Sequence, residues 1–261
     1  MIKKRNGDFV ARSVLMIFFL SPIAQVLFTW LGSPDILTTL LSTTIVVFWG
    51  NSMVLAACAL LLGTNHPEQG FVIMLLLTIF SSFTRSRKET IAFALIGFGA
   101  LVLGKLLVGW YSNAYNISTE FTRLDYISKV GVTGYVKATF SNFFALVFSL
   151  YHVLILFISA YIFYFWKLGK APHAFVLCSL VAFATILITL DQTRVFSVVT
   201  FPILLLLVLS PPFQTLEPTE REFFETLLTA SLLFGILIPR FVIWEGAAHF
   251  SSYLNMIRAL H

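Results

Sequence analysis

The stretch TIAFALIGFGALVLGKLLVGW, Thr90 to Trp110, runs for 21 residues in which Lys105 alone carries a charge. At 1.5 Å per residue a helix of that length reaches about 30 Å, the thickness of a bilayer's hydrocarbon core. Polar residues recur in it at neither strand nor helical period, so no face of the element is marked for water. Lipid and neighbouring helices are the surroundings such a segment requires.

Similar runs recur along the chain. Apolar segments cover approximately 13 to 32, 36 to 62, 70 to 84, 90 to 110, 140 to 166, 173 to 190, 195 to 210 and 227 to 244. The 261 residues are 58% hydrophobic and 11% charged, against about 25% charged in an ordinary soluble domain. Backbone groups in hydrocarbon must be bonded within their own segment, so each run is read as a helix or a helical hairpin. Leu- and Phe-rich runs without polar alternation are unlike the strands of a membrane barrel. The expected fold is all-α: a polytopic transmembrane helix bundle forming a single integral membrane domain over 1–261, with about seven to eight membrane segments.

Segment 70 to 84 is the short one, since about fifteen residues make roughly 22 Å of helix, and it is read as a re-entrant or half-depth helix. That reading gathers Arg85, Arg87, Lys88, Lys167, Lys170 and Arg221 on the side of the basic amino terminus with Lys3, Lys4, Arg5 and Arg12. It satisfies the positive-inside tendency with a cytoplasmic amino terminus. Arg123, Lys129, Lys137, Arg194 and Arg258 stay outside. An outer loop is expected at about 111–139 and a cytoplasmic turn at about 211–226, where Pro218, Thr219 and Glu220 suit a helix start. The run from Ser13 to Gly32 exceeds a signal peptide's apolar stretch and is expected to be a retained span.

The net charge of +5 comes from short clusters between apolar runs. Clusters so placed are topology signals and contacts for anionic lipid, and no nucleic-acid partner is expected. Cys58 and Cys178 both fall inside apolar runs, where thiols pack as small hydrophobes. The sequence has no Gly-rich phosphate loop, GxSxG elbow, HExxH pair or CxxC, and neither a metal nor a cofactor is expected.

The stretch Leu190-Asp191-Gln192-Thr193-Arg194-Val195-Phe196 wedges four polar residues between two apolar runs. Charges at a membrane boundary call for a partner or a ligand. Asp191 and Arg194 therefore form either a substrate contact or an ion pair in a tight turn with Arg194 reaching for phosphates. Arg240 follows Pro239 in the last run, a placement suited to an anion site or to an ion pair with Glu245 or Asp191. The outer loop supplies Arg123, Asp125, Tyr126, Lys129, Tyr135 and Lys137, a mixture that fits sugar and phosphate or a helix lying in the head-group layer. His66-Pro67-Glu68 opens the short segment, as a proton or cation relay at a half-helix terminus or as a plain turn.

An outer loop rich in Arg, Asp and Tyr, together with the Asp191 to Phe196 boundary motif, resembles bacterial envelope-polysaccharide membrane enzymes of the polymerase and lipid-dependent glycosyltransferase type. The resemblance covers general organisation and that one motif. The chain departs from those families in having fewer spans and a smaller outer loop. It implies that Arg194, Arg123 and Arg240 hold the pyrophosphate of a polyprenyl-phosphate-linked glycan, and that Asp191 or Asp125 assists the acceptor hydroxyl as the catalytic carboxylate. Tyr126 and Lys129 join the substrate-binding set. The expected function is glycosyl transfer or polymerisation at the outer leaflet of a bacterial inner membrane, with membrane lipids and other membrane proteins as further partners. The competing expectation is a transporter or flippase-like subunit without bond chemistry, in which the same charges line a path.

Overall fold

In the computed structural model the described residues are 2–29, 33–117, 132–141, 143–167, 169–187, 189, 191–238, 240–244 and 247–251. They form an all-α bundle closed by one small hairpin of strands. Helices α1 (Ile2–Leu20) and α2 (Pro22–Thr29) are bent by 63° at their junction, where Pro22 has no N–H to continue the ladder. Then come α3 (Pro34–Val47), α4 (Ser52–Asn65), α5 (Pro67–Thr84) and α6 (Arg87–Ala114). Further along, the chain makes α7 (Val132–Ser141), α8 (Phe143–Tyr151) and α9 (Leu154–Phe165). The last two are bent by 74° around His152, whose φ is 48°. It ends with α10 (Ala171–Ile186), α11 (Gln192–Val208), α12 (Pro211–Gln214), α13 (Pro218–Leu237) and strands β1 (Arg240–Trp244) and β2 (Ala247–Ser251), paired antiparallel with Val242 opposite His249.

Helix starts follow local chemistry. Proline occupies the first turn of α3, α5 and α13, where its missing donor costs nothing. Ser86 and Glu89 close a capping box at the start of α6. The expected start at Pro218, with Glu220 in the first turn, is where α13 begins.

One of the runs takes the hairpin alternative, and two others differ from their expected form. Residues 36 to 62 make no single helix: the chain turns at Phe48 to Asn51, and α3 packs against α4 as a hairpin. Residues 70 to 84 belong to the longer α5, whose 18 residues are long and apolar enough, by length and composition, to cross a membrane. The last helix stops at Leu237, and Arg240 lies in a strand rather than in a kinked helix. Ile238 is already extended, as the residue before a proline tends to be. By length and composition two helices, α5 and α6, can cross a bilayer, or up to four spans if each bent pair counts as one.

The hairpin sorts the charges into two ends. Asp35 at the start of α3 contacts Arg194 at the start of α11, and Val47 and Leu209 line one groove at the other ends of the same helices. Helix α5 starts beside Asp35 through Gln69 and delivers Arg85 to the α3–α4 turn, with its guanidinium over Trp49. Phe9 stacks on Phe213, Arg12 pairs with Glu225, Arg221 lies over Phe9 and Phe165 stacks on Phe224. The chain positions of Arg12, Arg85, Arg87, Lys88, Lys167, Lys170 and Arg221 thus belong to one basic end, and Asp35, Asn65, Gln69, Asp191 and Arg194 to the other.

Helices α4 and α6 run parallel and closely packed. A Cβ at Gly104 would be driven into the Leu60 carbonyl, and one at Gly63 into that of Leu101, so both positions require hydrogen side chains for the backbones to meet. Gly104→Leu is expected to destabilise the protein by about 1–3 kcal/mol or more through overpacking, read as a lower thermal midpoint in detergent. Gly99→Leu, where a Cβ meets nothing within 4 Å, is expected to leave the midpoint unchanged.

Candidate functional site: an aspartate–arginine–aspartate cluster

Helix α11 is the hub of the bundle: from Gln192 to Val208 every residue except Arg194 is buried. A helix buried on all sides must spend any polar side chain inside the protein. Its first turn does so in two directions, with Asp191 and Arg194 on one side and Gln192 and Thr193 on the other.

On the first side Arg194 joins two carboxylates. Its Nε donates to Asp35 Oδ2, and its Nη1 donates to Asp191 Oδ2 at 3.2 Å. The Asp35 side chain is 0% exposed, whereas those of Arg194 and Asp191 are 19% and 27% exposed. Asp35 also accepts from Gln69 Nε2 and from Ser33 Oγ, both at 3.2 Å. Asn65 Nδ2 binds Thr38 Oγ1 and the Pro34 carbonyl at 3.0 Å each, tying the end of α4 to the start of α3. His66 Nδ1 lies 3.3 Å from Glu68 Oε2 on the same end. The amino-terminal turns of α3, α5 and α11 therefore converge here, each contributing partial positive charge.

On the second side the polar atoms serve the scaffold. Thr193 Oγ1 is 2.8 Å from Ser149 Oγ and accepts from the Ile243 N–H at 2.9 Å, pinning β1 and α8 to α11. Gln192 Nε2 donates to Thr139 Oγ1 on α7.

The cluster is recessed. Gly104 of α6 packs against Leu60 and Thr64 of α4, so Asn65 sits near the level of Lys105. Trp110 and Tyr111, both exposed, stand roughly 7–9 Å further along α6 at 1.5 Å per residue.

Of the residues singled out in the sequence, the structure brings Asp191 and Arg194 together as an ion pair. Arg123, Asp125, Tyr126 and Lys129 lie outside the described residues. So do the side chains of Arg240 and Tyr135, and Glu245 altogether. Asp35 is the member of this cluster that the sequence reading passed over. Its signal was present: between Arg12 and Glu68 it is the only Asp, Glu, Lys or Arg. Among the described residues no group of three or more His, Cys, Asp or Glu is placed to hold a metal ion. The chain matches no protein-family model, no curated protein and no solved structure.

Removing Arg194 strands the buried Asp35. Arg194→Ala is expected to lower stability by about 3–5 kcal/mol, the usual cost of breaking a buried pair from one side. The double variant Asp35→Ala, Arg194→Ala should recover part of that loss in thermal unfolding, and strictly additive losses would show the pair to be uncoupled.

Proposed function

We propose that this is a multi-pass protein of a bacterial cell inner membrane that acts in envelope polysaccharide assembly. In this reading it transfers or polymerises glycosyl units from a polyprenyl-phosphate-linked glycan at the outer leaflet. The observation that carries the reading is the meeting of two unlike surfaces beside Asp35. One is the charged cluster. The other is an apolar groove of about 360 Å³ between α1, α2, α3 and α11, with Leu27 and Ile36 at the cluster's end and Val47 and Leu209 at the basic end. Ile36 follows Asp35 directly, and Leu40 on the groove's rim is 60% exposed. A ligand with an anionic head and a long apolar chain matches that pair of surfaces.

The two carboxylates take different parts. Asp35, closed off by burial, holds Arg194 in place, while Asp191 reaches the surface. The acceptor hydroxyl oxygen attacks the anomeric carbon, and the bond from that carbon to the phosphate oxygen breaks. The pyrophosphate departs with the electron pair beside Arg194, and the hydroxyl proton passes to Asp191. Formally the cluster carries one net negative charge, so the pyrophosphate needs more cations than Arg194. Arg123, Lys129 and Arg240 are assigned that role, with Tyr126 against the sugar and Asp125 as the other candidate base. The basic end faces the cytoplasm by the positive-inside tendency.

The net negative charge also favours a second reading, a transporter or flippase-like subunit in which buried Asp35 and Gln69 handle a cation without bond chemistry. Asp191→Asn separates the two. Under the first reading, glycan extension in membrane vesicles falls roughly 10²- to 10⁴-fold, the span of general-base contributions, and unextended lipid-linked glycan accumulates. Under the second, extension is unchanged and solute or lipid movement drops; loss of neither activity rejects both. Orientation has its own test. In a chain without Cys58 and Cys178, single cysteines at the exposed Ser86 and Thr215 should label from the cytoplasmic side and those at Asn65 and Thr189 from the opposite side, and labelling of all four from one side would rule out this topology.

A further inference from the structure

A second cavity lies at the basic end, remote from the Asp–Arg–Asp cluster and independent of the reaction proposed for it. It measures about 260 Å³ and opens between the α3–α4 turn and the start of α6. Its polar lining includes Arg85, Glu89 and Asn51, and its apolar wall is built by Leu55, Phe93 and Ile96. Arg85 is half-buried, with Cζ 4.4 Å from the Trp49 ring centroid and 5.7 Å from that of Phe93. Among the described residues its guanidinium has no hydrogen bond or ion pair. Desolvation between these rings pushes Arg85 below its ordinary value, and the charge of Glu89 opposes that shift. A bound anion would favour the charged guanidinium further.

Glu89 supplies the opposite sign. Its Oε2 accepts from the Ser86 N–H at 3.0 Å and from Ser86 Oγ at 2.7 Å, which fixes the carboxylate at the first turn of α6. A simple anion would gain Arg85 but meet the repulsion of Glu89. A phosphodiester joined by two carbons to a primary ammonium satisfies both groups, and the apolar wall suits the acyl chains attached to such a head group. The volume is small for a nucleotide-sized ligand, since drug-sized pockets occupy about 300–1,000 Å³.

We propose that this cavity binds one aminophospholipid of the phosphatidylethanolamine type, with its phosphate on Arg85, its ammonium on Glu89 and its chains against Leu55, Phe93 and Ile96. The site would seat the α3–α4 hairpin and the start of α6 on the lipid leaflet at the basic end.

Trp49 reports on the site directly. In detergent micelles the full chain is titrated with phosphatidylethanolamine, phosphatidylglycerol or phosphatidylcholine carrying brominated acyl chains. The Trp49 contribution to quenching is isolated by subtracting a Trp49→Phe variant, since the chain has five tryptophans. The expected result is saturable quenching by the ethanolamine lipid at concentrations roughly tenfold lower than for the other two, a difference equivalent to about 1.4 kcal/mol. Glu89→Gln, which keeps an oxygen for the Ser86 cap, should abolish the preference over phosphatidylglycerol. Arg85→Gln should weaken quenching by all three lipids. Equal quenching by the three head groups in the wild-type chain, a preference for phosphatidylglycerol, or a preference unchanged in Glu89→Gln would each overturn the proposal. Glu89→Gln should keep saturable quenching by phosphatidylglycerol at the wild-type concentration while losing the preference, a combination that a general loss of folding cannot imitate.

Discussion

The structure depends on the burial of α11. A helix enclosed from Gln192 to Val208 except at Arg194 leaves little water to solvate the charges of its first turn, and a lone guanidinium there would carry a desolvation cost. The Asp35–Arg194 pair meets that constraint and in doing so ties α3 to α11 at one end. Gln69 and Ser33 complete the coordination of Asp35, so the starts of α3, α5 and α11 are brought to one point. Thr193 and Gln192 repeat the arrangement on the opposite side and recruit β1, α8 and α7. A single polar turn thus organises both the candidate site and the elements around it.

The α3–α4 hairpin has an effect out of proportion to its size. Turning the chain once more at Phe48 to Asn51 reverses the direction of everything that follows relative to a single helix over the same residues. The positive charges of Arg12, Arg85, Arg87, Lys88, Lys167, Lys170 and Arg221 then fall at one end with α5 running between the ends, so no re-entrant segment is needed to account for their asymmetry. The same turn brings Asn65, His66 and Gln69 to the Asp191 end and leaves Arg85 at the basic end beside Trp49.

The two cavities with polar or amphipathic surroundings face different problems. The groove along α3 is apolar and ends at a charged cluster, a shape suited to a long-chain ligand whose head is held by Arg194. The pocket at Arg85 is short and carries charges of both signs, a shape suited to a small zwitterionic head group. Under the two proposals that contrast assigns different ligand classes, one to be turned over and the other to be retained.

How much of this the chain announces can be judged residue by residue. The all-α class, the apolar helices, the start of α13 at Pro218 and the Asp191–Arg194 neighbourhood were legible, because hydropathy, proline placement and i,i+3 spacing are local properties. The partner of Arg194 was not, since Asp35 lies 159 residues away and a contact at that separation leaves no periodic trace. Nor was the hairpin, because a run of apolar residues from 36 to 62 has the same composition whether it crosses once or turns back. The extended backbone after Leu237 had a local sign in Pro239, yet its pairing with β2 and the bond from Ile243 to Thr193 arise only in the folded chain. The sequence by itself determined which segments need apolar surroundings and which residues carry charge into them. Tertiary structure alone decided which of those charges meet, because buried charges are satisfied by neighbours in space rather than along the chain.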